Sequence, residues 1–129
     1  MSVPLLALAG LVRRYQADRP AVIDGLDFTL AAGEWIAIMG ESGVGKSTLL
    51  NVIAGLDRAD AGAVRVDGVE LAALDDDALT LLRRQSMGFV FQAFHVLPYL
   101  SVGRNVALPL ALNGVPEREI RPRVAAMLV

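Results

Sequence analysis

Apolar residues run almost unbroken from Val3 to Val12, which predicts a first strand. From Ile23 the pattern alternates, with Leu26, Phe28 and Leu30 on one face, so residues 22–30 are predicted as a second strand. Ala32-Gly33-Glu34 reads as a turn. Trp35-Ile36-Ala37-Ile38-Met39 reads as a short strand buried on both faces. Residues 40–45 form a glycine-rich loop. Leu49, Leu50 and Ile53 then fall at helical spacing between Lys46 and Ala54, and Gly55 is the stop. Val64 and Val66, then Asp67-Gly68, then Val69 and Leu71 carry the pattern of a hairpin over residues 63–71.

The second half of the chain reads as mostly helical. Asp75, Asp76 and Asp77 precede a helix over 78–85 that ends on Arg83-Arg84, a charge order that suits the helix dipole and reads as capping rather than as a metal site. Phe89-Val90-Phe91 predicts another short strand, ending at Gln92. Helices are expected over 101–112 and 116–129. Ser101 caps the first, Pro109 kinks or ends it, and Pro116 suits the opening turn of the second. No Gly, Asn or Pro follows Met127-Leu128-Val129, so the chain is expected to halt inside an element.

Composition narrows the classes. The length of 129 residues fits one domain, and an apolar share of 54% with a mean hydropathy of +0.50 excludes a disordered chain. The longest apolar run, Leu5 to Val12, is far short of the roughly 18 residues of a spanning helix. The start lacks a basic n-region and reads as a strand rather than a signal peptide, which places the chain in the cytoplasm. A formal charge of −2 argues against nucleic acid as a partner. No cysteine is present, so thiol chemistry and disulfides are excluded. Of the 12 basic residues only one is a lysine, Lys46.

That lysine sits in the segment with the clearest chemistry. Gly40-Glu41-Ser42-Gly43-Val44-Gly45-Lys46-Ser47-Thr48 matches G-x-x-x-x-G-K-[ST], between an apolar strand and an amphipathic helix. The glycines let the backbone curl so that its N–H groups face phosphate oxygens, and the helix start adds its positive end. Lys46 is a compact charge for the terminal phosphates, where a branched arginine fork fits poorly. The Ser47 hydroxyl is a Mg²⁺ ligand, and Thr48 lies one step inside the helix. A nucleoside triphosphate is the ligand this segment predicts. The N-K-x-D and D-x-x-G motifs of a GTPase are absent, and no lid of a small-molecule kinase is evident.

Together, Gly33-Glu34, Ser42 to Leu50, Ile53-Ala54-Gly55-Leu56 and Met87-Gly88-Phe89-Val90-Phe91-Gln92 resemble the nucleotide-binding domain of ABC transporters. Phe94, Leu97-Pro98 and Asn105-Val106-Ala107-Leu108-Pro109-Leu110 are similar to its lipoprotein-release, macrolide-export and cell-division subgroup. The match covers nearly all of residues 3–129. It extends to Asp60-Ala61-Gly62, where the family commonly has Pro or Ser before the Gly. The resemblance implies an α/β P-loop NTPase fold of the ABC type with a mixed sheet. Residues 1–92 would be the nucleotide-binding core and 93–129 the start of a helical subdomain, together an incomplete domain. It implies ATP and Mg²⁺ as cofactors, and adds two site residues. Tyr15, 25 residues before Gly40, stands where the family stacks an aromatic on adenine, the plainer reading being a sheet-edge aromatic. Gln92 stands at the family's Q-loop position, where the amide reaches Mg²⁺ and the attacking water. Lys46 and Gln92 are thus the catalytic candidates, and Ser47 and Gln92 the metal ligands.

Other residues are set aside. His95 follows Gln92 by three positions, too early for the family's switch histidine, and Glu41 lies inside the phosphate loop and is not the catalytic Glu. No L-S-G-G-Q signature is present. Neither Ala21-Val22-Ile23-Asp24, which precedes the loop, nor Val64-Arg65-Val66-Asp67, which Arg interrupts, serves as Walker B. The resemblance therefore implies the ATP-binding subunit of a transporter, with a membrane-spanning subunit and a second ATPase domain as partners, peripheral on the inner face of the cell membrane. Val96, Leu97, Tyr99 and Leu100 read equally as a dock for the membrane subunit or as packing within the helical subdomain. Without signature, Walker B and switch His, hydrolysis by this chain alone is not expected. A stand-alone, non-hydrolysing ATP-binding module or a decayed gene product is the alternative.

Overall fold

A computed structural model describes residues 2–129 as two compact units, 2–81 and 82–129. The first holds a four-stranded sheet of β1 (Leu6–Arg13), β2 (Ile23–Leu30), β3 (Ala61–Val66) and β4 (Val69–Glu70), in the order β2-β1-β3-β4 and antiparallel throughout. Leu6 pairs with Leu30 and Val66, and Leu8 with Phe28 and Val64. The strand alternation breaks between Leu8 and Leu11, three residues apart. The register shift in that interval resolves it. With Gly10 at φ +55, Leu11 returns to the inner face and is fully buried. The Gly10 N–H donates to Asp27 Oδ1 at 2.7 Å, which fixes the irregularity.

The core joins Leu6, Leu8 and Leu11 to Ile23, Val52, Val64, Val66, Leu71 and Leu79. Each such side chain contributes about 1.5–3 kcal/mol on burial. Val52 comes from α1 (Lys46–Ile53), which ends at Gly55, φ +69, where the Leu56 N–H reaches Asn51 O at 2.9 Å. The predicted Asp67-Gly68 turn forms with φ +49 and +78, the primed geometry that matches strand twist. Gly62, φ +83, lets β3 approach β1. A Cβ there would lie 2.3 Å from Gly10 O.

Two predicted strands are corrected. Residues 35–39 and 89–91 form no strand and enter no ladder, and the ladders among the described residues are all antiparallel. Their apolar side chains face solvent: Trp35 is 97% and Val90 103% exposed. An apolar run predicts burial on both faces, but strand geometry needs hydrogen-bonding neighbours, and none of the described strands pairs with these segments.

α2 (Asp76–Ser86) starts two residues before the predicted 78, with Asp75 Oδ1 accepting the Ala78 N–H at 2.8 Å, Asp76 and Asp77 in the first turn, and Arg83 and Arg84 in the last. In the second unit, α3 (Val102–Leu112) and α4 (Glu117–Met127) pack on each other, and Ile120 of α4 is buried. The Ser101 hydroxyl caps α3 by accepting the Arg104 N–H at 3.2 Å. Pro109 does not end α3; its ring is exposed, and the helix runs on to Leu112. Pro116 stands just outside α4 as its N-cap, and α4 closes at Met127. Asn105 ties the turn before α3: Oδ1 accepts the Leu97 N–H, and Nδ2 donates to the carbonyls of Leu97, Leu100 and Ser101. No helix among the described residues is long and apolar enough to cross a membrane.

Candidate functional site

The phosphate loop wraps over the start of α1. Gly43 and Gly45 hold φ of +85 and +108, which side-chain-bearing residues rarely adopt. Gly45 is the N-cap of α1 and offers no side-chain cap, and no acidic residue occupies the first turn. No carboxylate of the helix's own first turn therefore competes at its positive end. A Cβ on Gly45 would stand 2.5 Å from Val22 Cγ1, and one on Gly40 2.9 Å from Val44 Cγ2, so the loop is closed tightly on both sides. The Lys46 ammonium folds over the loop and donates to Gly40 O at 2.6 Å and Glu41 O at 2.7 Å. It therefore already stands over the curve that the backbone makes. Ser47 is exposed beside it, while Ser42 and Val44 lie on the loop's open rim.

Tyr15, two residues past the end of β1, reaches the same helix. Its hydroxyl lies 3.2 Å from Asp57 Oδ2 and 3.1 Å from Thr48 Oγ1. The carboxylate only accepts, so Tyr15 donates to Asp57 and the Thr48 hydroxyl donates to the phenolic oxygen. The last residue of the loop motif is thereby tied to the aromatic that sequence placed at the base. The Arg13 guanidinium lies over the Tyr15 ring, 4.5 Å from the centroid, and donates to Asp57 Oδ2 at 2.9 Å and Asp60 Oδ2 at 3.2 Å. The Arg14 N–H also donates to Asp60 Oδ2, at 2.7 Å.

These contacts shift the ionisations. At Asp57, burial opposes the charged form most strongly. Hydrogen bonds from Arg13, the Arg58 N–H and Tyr15 together outweigh it and hold the carboxyl below its usual value. At Asp60 the Arg14 N–H is the main cause of a lowered pKa, with Arg13 next. The hydrogen bond to Asp57 leads in raising that of Arg13.

Sequence reasoning missed Arg13, Asp57 and Asp60. One signal was available: Arg13 stands two residues before Tyr15, the spacing at which an extended chain puts side chains on one side. Asp57 and Asp60, more than forty residues away, had none. Among the predicted site residues, the structure brings together Tyr15, Lys46, Ser47 and Thr48 with the loop in the first unit. Gln92 lies in the second unit, on an exposed bend. His95 there adopts φ +47 and packs against Phe91, ring centroids 4.4 Å apart.

For a divalent cation, no group of three or more His, Asp or Glu side chains is gathered among the described residues. The exposed Ser47 hydroxyl is a hard oxygen donor beside the loop. That fits Mg²⁺, which is typically held by substrate phosphates and one or two protein oxygens rather than by a protein cage.

The sequence model of the ABC transporter family matches residues 23–128. A probable export ATP-binding/permease protein MacB of Pseudomonas entomophila is 46% identical over 127 residues, 97% of this chain and 19% of that protein. A macrolide export ATP-binding/permease protein MacB 1 of Yersinia pestis is 44% identical, over 96% of this chain and 19% of its own length. The chain thus spans about a fifth of the length of these curated relatives. Among solved structures, a dimeric post-hydrolysis state of the ATP-binding cassette MJ0796, bound to ADP and Pi, superposes with a TM-score of 0.85 at 36% identity. It covers 94% of this chain and 54% of that one.

Proposed function

The chain belongs to the ABC transporter family, and from that premise we propose that it is the nucleotide-binding part of an exporter's ATPase, holding MgATP on the loop Gly40–Thr48. The observation that carries this reading is the Lys46 ammonium held 2.6 and 2.7 Å from two carbonyls of its own loop, over an uncapped helix start. On nucleotide binding, Lys46 exchanges those carbonyls for terminal phosphate oxygens. The loop N–H groups bind the remaining oxygens, and Gly43 and Gly45 supply the backbone shape that aims them. By the family pattern, the Ser47 hydroxyl and the Gln92 amide would hold Mg²⁺. Mg²⁺, when bound, neutralises charge on the phosphates. Tyr15 stacks on adenine, and Gln92 orients the water that attacks the terminal phosphate.

We assign residues 1–92 to the nucleotide core and 93–129 to the start of a helical subdomain. The relatives' names join ATP-binding and permease parts, and the solved cassette is dimeric. The first supports a membrane-spanning partner and the second supports a second ATPase domain; we assign this part to the cytoplasmic face. Residues 1–129 alone bind nucleotide without turning it over, because they contain no L-S-G-G-Q sequence and no Walker B carboxylates.

The test is ATP turnover by the complete transporter in membranes. Lys46→Ala and Gln92→Ala are expected to abolish turnover, the first by loss of nucleotide binding and the second with binding retained. Full turnover by Lys46→Ala removes the proposal.

A further inference from the structure

The Tyr15 ring is more tightly specified than an exposed aromatic needs to be. Its side chain belongs to a residue 56% exposed, yet three groups fix it. Asp57 and Thr48 hold the hydroxyl, and Arg13 covers one face of the ring. Arg13 is itself fixed, because its Nε and Nη1 atoms are bound by Asp57 and Asp60 and its side chain is only 19% exposed. Asp57 is the shared partner. Its Oδ2 accepts from both Arg13 and Tyr15, and its backbone N–H donates to Asn51 O of α1 at 3.2 Å. The anchors of the ring thus stand on both ends of the helix that begins in the phosphate loop: Thr48 in its first turn and Asp57 just past its last.

We infer that Arg13, locked by Asp57 and Asp60, is a positioning residue that closes one face of Tyr15 and presents the other to the nucleotide base. This rests on the stacking reading of Tyr15. Two physical effects support it. A free tyrosine must give up rotation about two side-chain bonds when a base stacks on it, whereas a ring already held gives up little. The guanidinium also occupies one face by its attraction to the ring quadrupole, so a flat base meets a single, defined surface. A salt bridge that merely braced the end of β1 would need neither the ring contact nor the shared Asp57 oxygen.

The two functions are separable, because a base platform acts on the nucleoside and not on the phosphates. Binding of MgATP and of magnesium tripolyphosphate to the full chain is measured by calorimetry, with the melting temperature of each variant recorded. Arg13→Ala is expected to weaken MgATP by about threefold to tenfold, the scale of immobilising one side chain on binding. It is expected to leave tripolyphosphate affinity unchanged. Arg13→Lys, which keeps a cation over the ring, is expected to recover part of the loss. Tyr15→Phe, which keeps the ring and removes its tether, is expected to move the ratio of the two affinities the same way. If Arg13→Ala does not fold, Arg13→Gln decides the matter by the same comparison of the two ligands.

An equal loss for both ligands makes Arg13 a structural brace and overturns the inference. So does unchanged MgATP affinity in Arg13→Ala while Tyr15→Ala weakens it. Unchanged MgATP affinity in Tyr15→Ala removes the stacking reading itself, and this inference with it.

Discussion

Replacing Lys46 by alanine separates a ligand-binding lysine from a structural one. In the free protein its ammonium makes two hydrogen bonds, to Gly40 O and Glu41 O, both on an exposed loop. Water solvates the freed carbonyls in the variant, so stability without nucleotide should fall by no more than about 1–2 kcal/mol. Two charge-assisted bonds to phosphate are worth about 3–6 kcal/mol together, less about 1–2 kcal/mol for leaving the loop carbonyls. The net loss is about 2–4 kcal/mol, or about thirtyfold to a thousandfold in affinity.

The assay is thermal unfolding with and without MgATP at about 100 times the wild-type dissociation constant. The wild type should gain about 2.7 kcal/mol, and the variant under about 1 kcal/mol. For a domain of this size that corresponds to a shift of about 10 °C against under about 4 °C. Equal shifts in the two proteins would refute the assignment of Lys46 to phosphate. A variant already unfolded without nucleotide would show that its two loop bonds are structural.

Three further outcomes are expected. Gly62→Ala places a Cβ 2.3 Å from Gly10 O, a backbone atom that cannot move aside, in a left-handed conformation. It should cost more than about 3 kcal/mol and lower the melting temperature by about 10 °C or more, read by circular dichroism. The carboxyls of Asp57 and Asp60 are held below their ordinary value of 3.8, so their contribution to stability is complete above that value. It is lost as pH falls below it, and melting curves at descending pH should fall less steeply in Asp57→Asn than in wild type. Backbone amides of residues 35–39 and 89–91, which enter no ladder, should exchange with deuterium far faster than those of β1, as read by mass spectrometry of peptides.

The legible parts of the fold were those determined locally. Alternation from Ile23 marked β2, Asp67-Gly68 marked the turn between β3 and β4, and Ser101 and Asp75 marked two helix starts with the bonds the structure contains. The loop motif located its lysine and its helix because consecutive residues build both. Legibility failed where the determining neighbour is remote. Trp35 to Met39 has the composition of a buried strand, but a ladder depends on other strands that no local pattern encodes. The break between Leu8 and Leu11 looked like a continuous apolar run, and only pairing with Leu26 reveals the shift of register. Pro109 suggested a stop, yet a ring on the exposed side of α3 leaves the packed side intact. The Asp57 and Asp60 carboxylates arrive at Tyr15 through the closing of β1 on the α1–β3 connection, which spacing along the chain does not encode.

The central claim is that Gly40–Thr48 binds the phosphates of a nucleotide with Tyr15 at its base. The most direct measurement is a titration of MgATP into isotope-labelled chain, followed at every backbone amide by two-dimensional NMR. The account predicts saturable one-to-one binding, with the largest shifts at residues 40–48 and a second set at Tyr15 and its neighbours. Saturable binding whose shifts lie elsewhere, or no shift at 40–48 in a folded chain at millimolar MgATP, would contradict it.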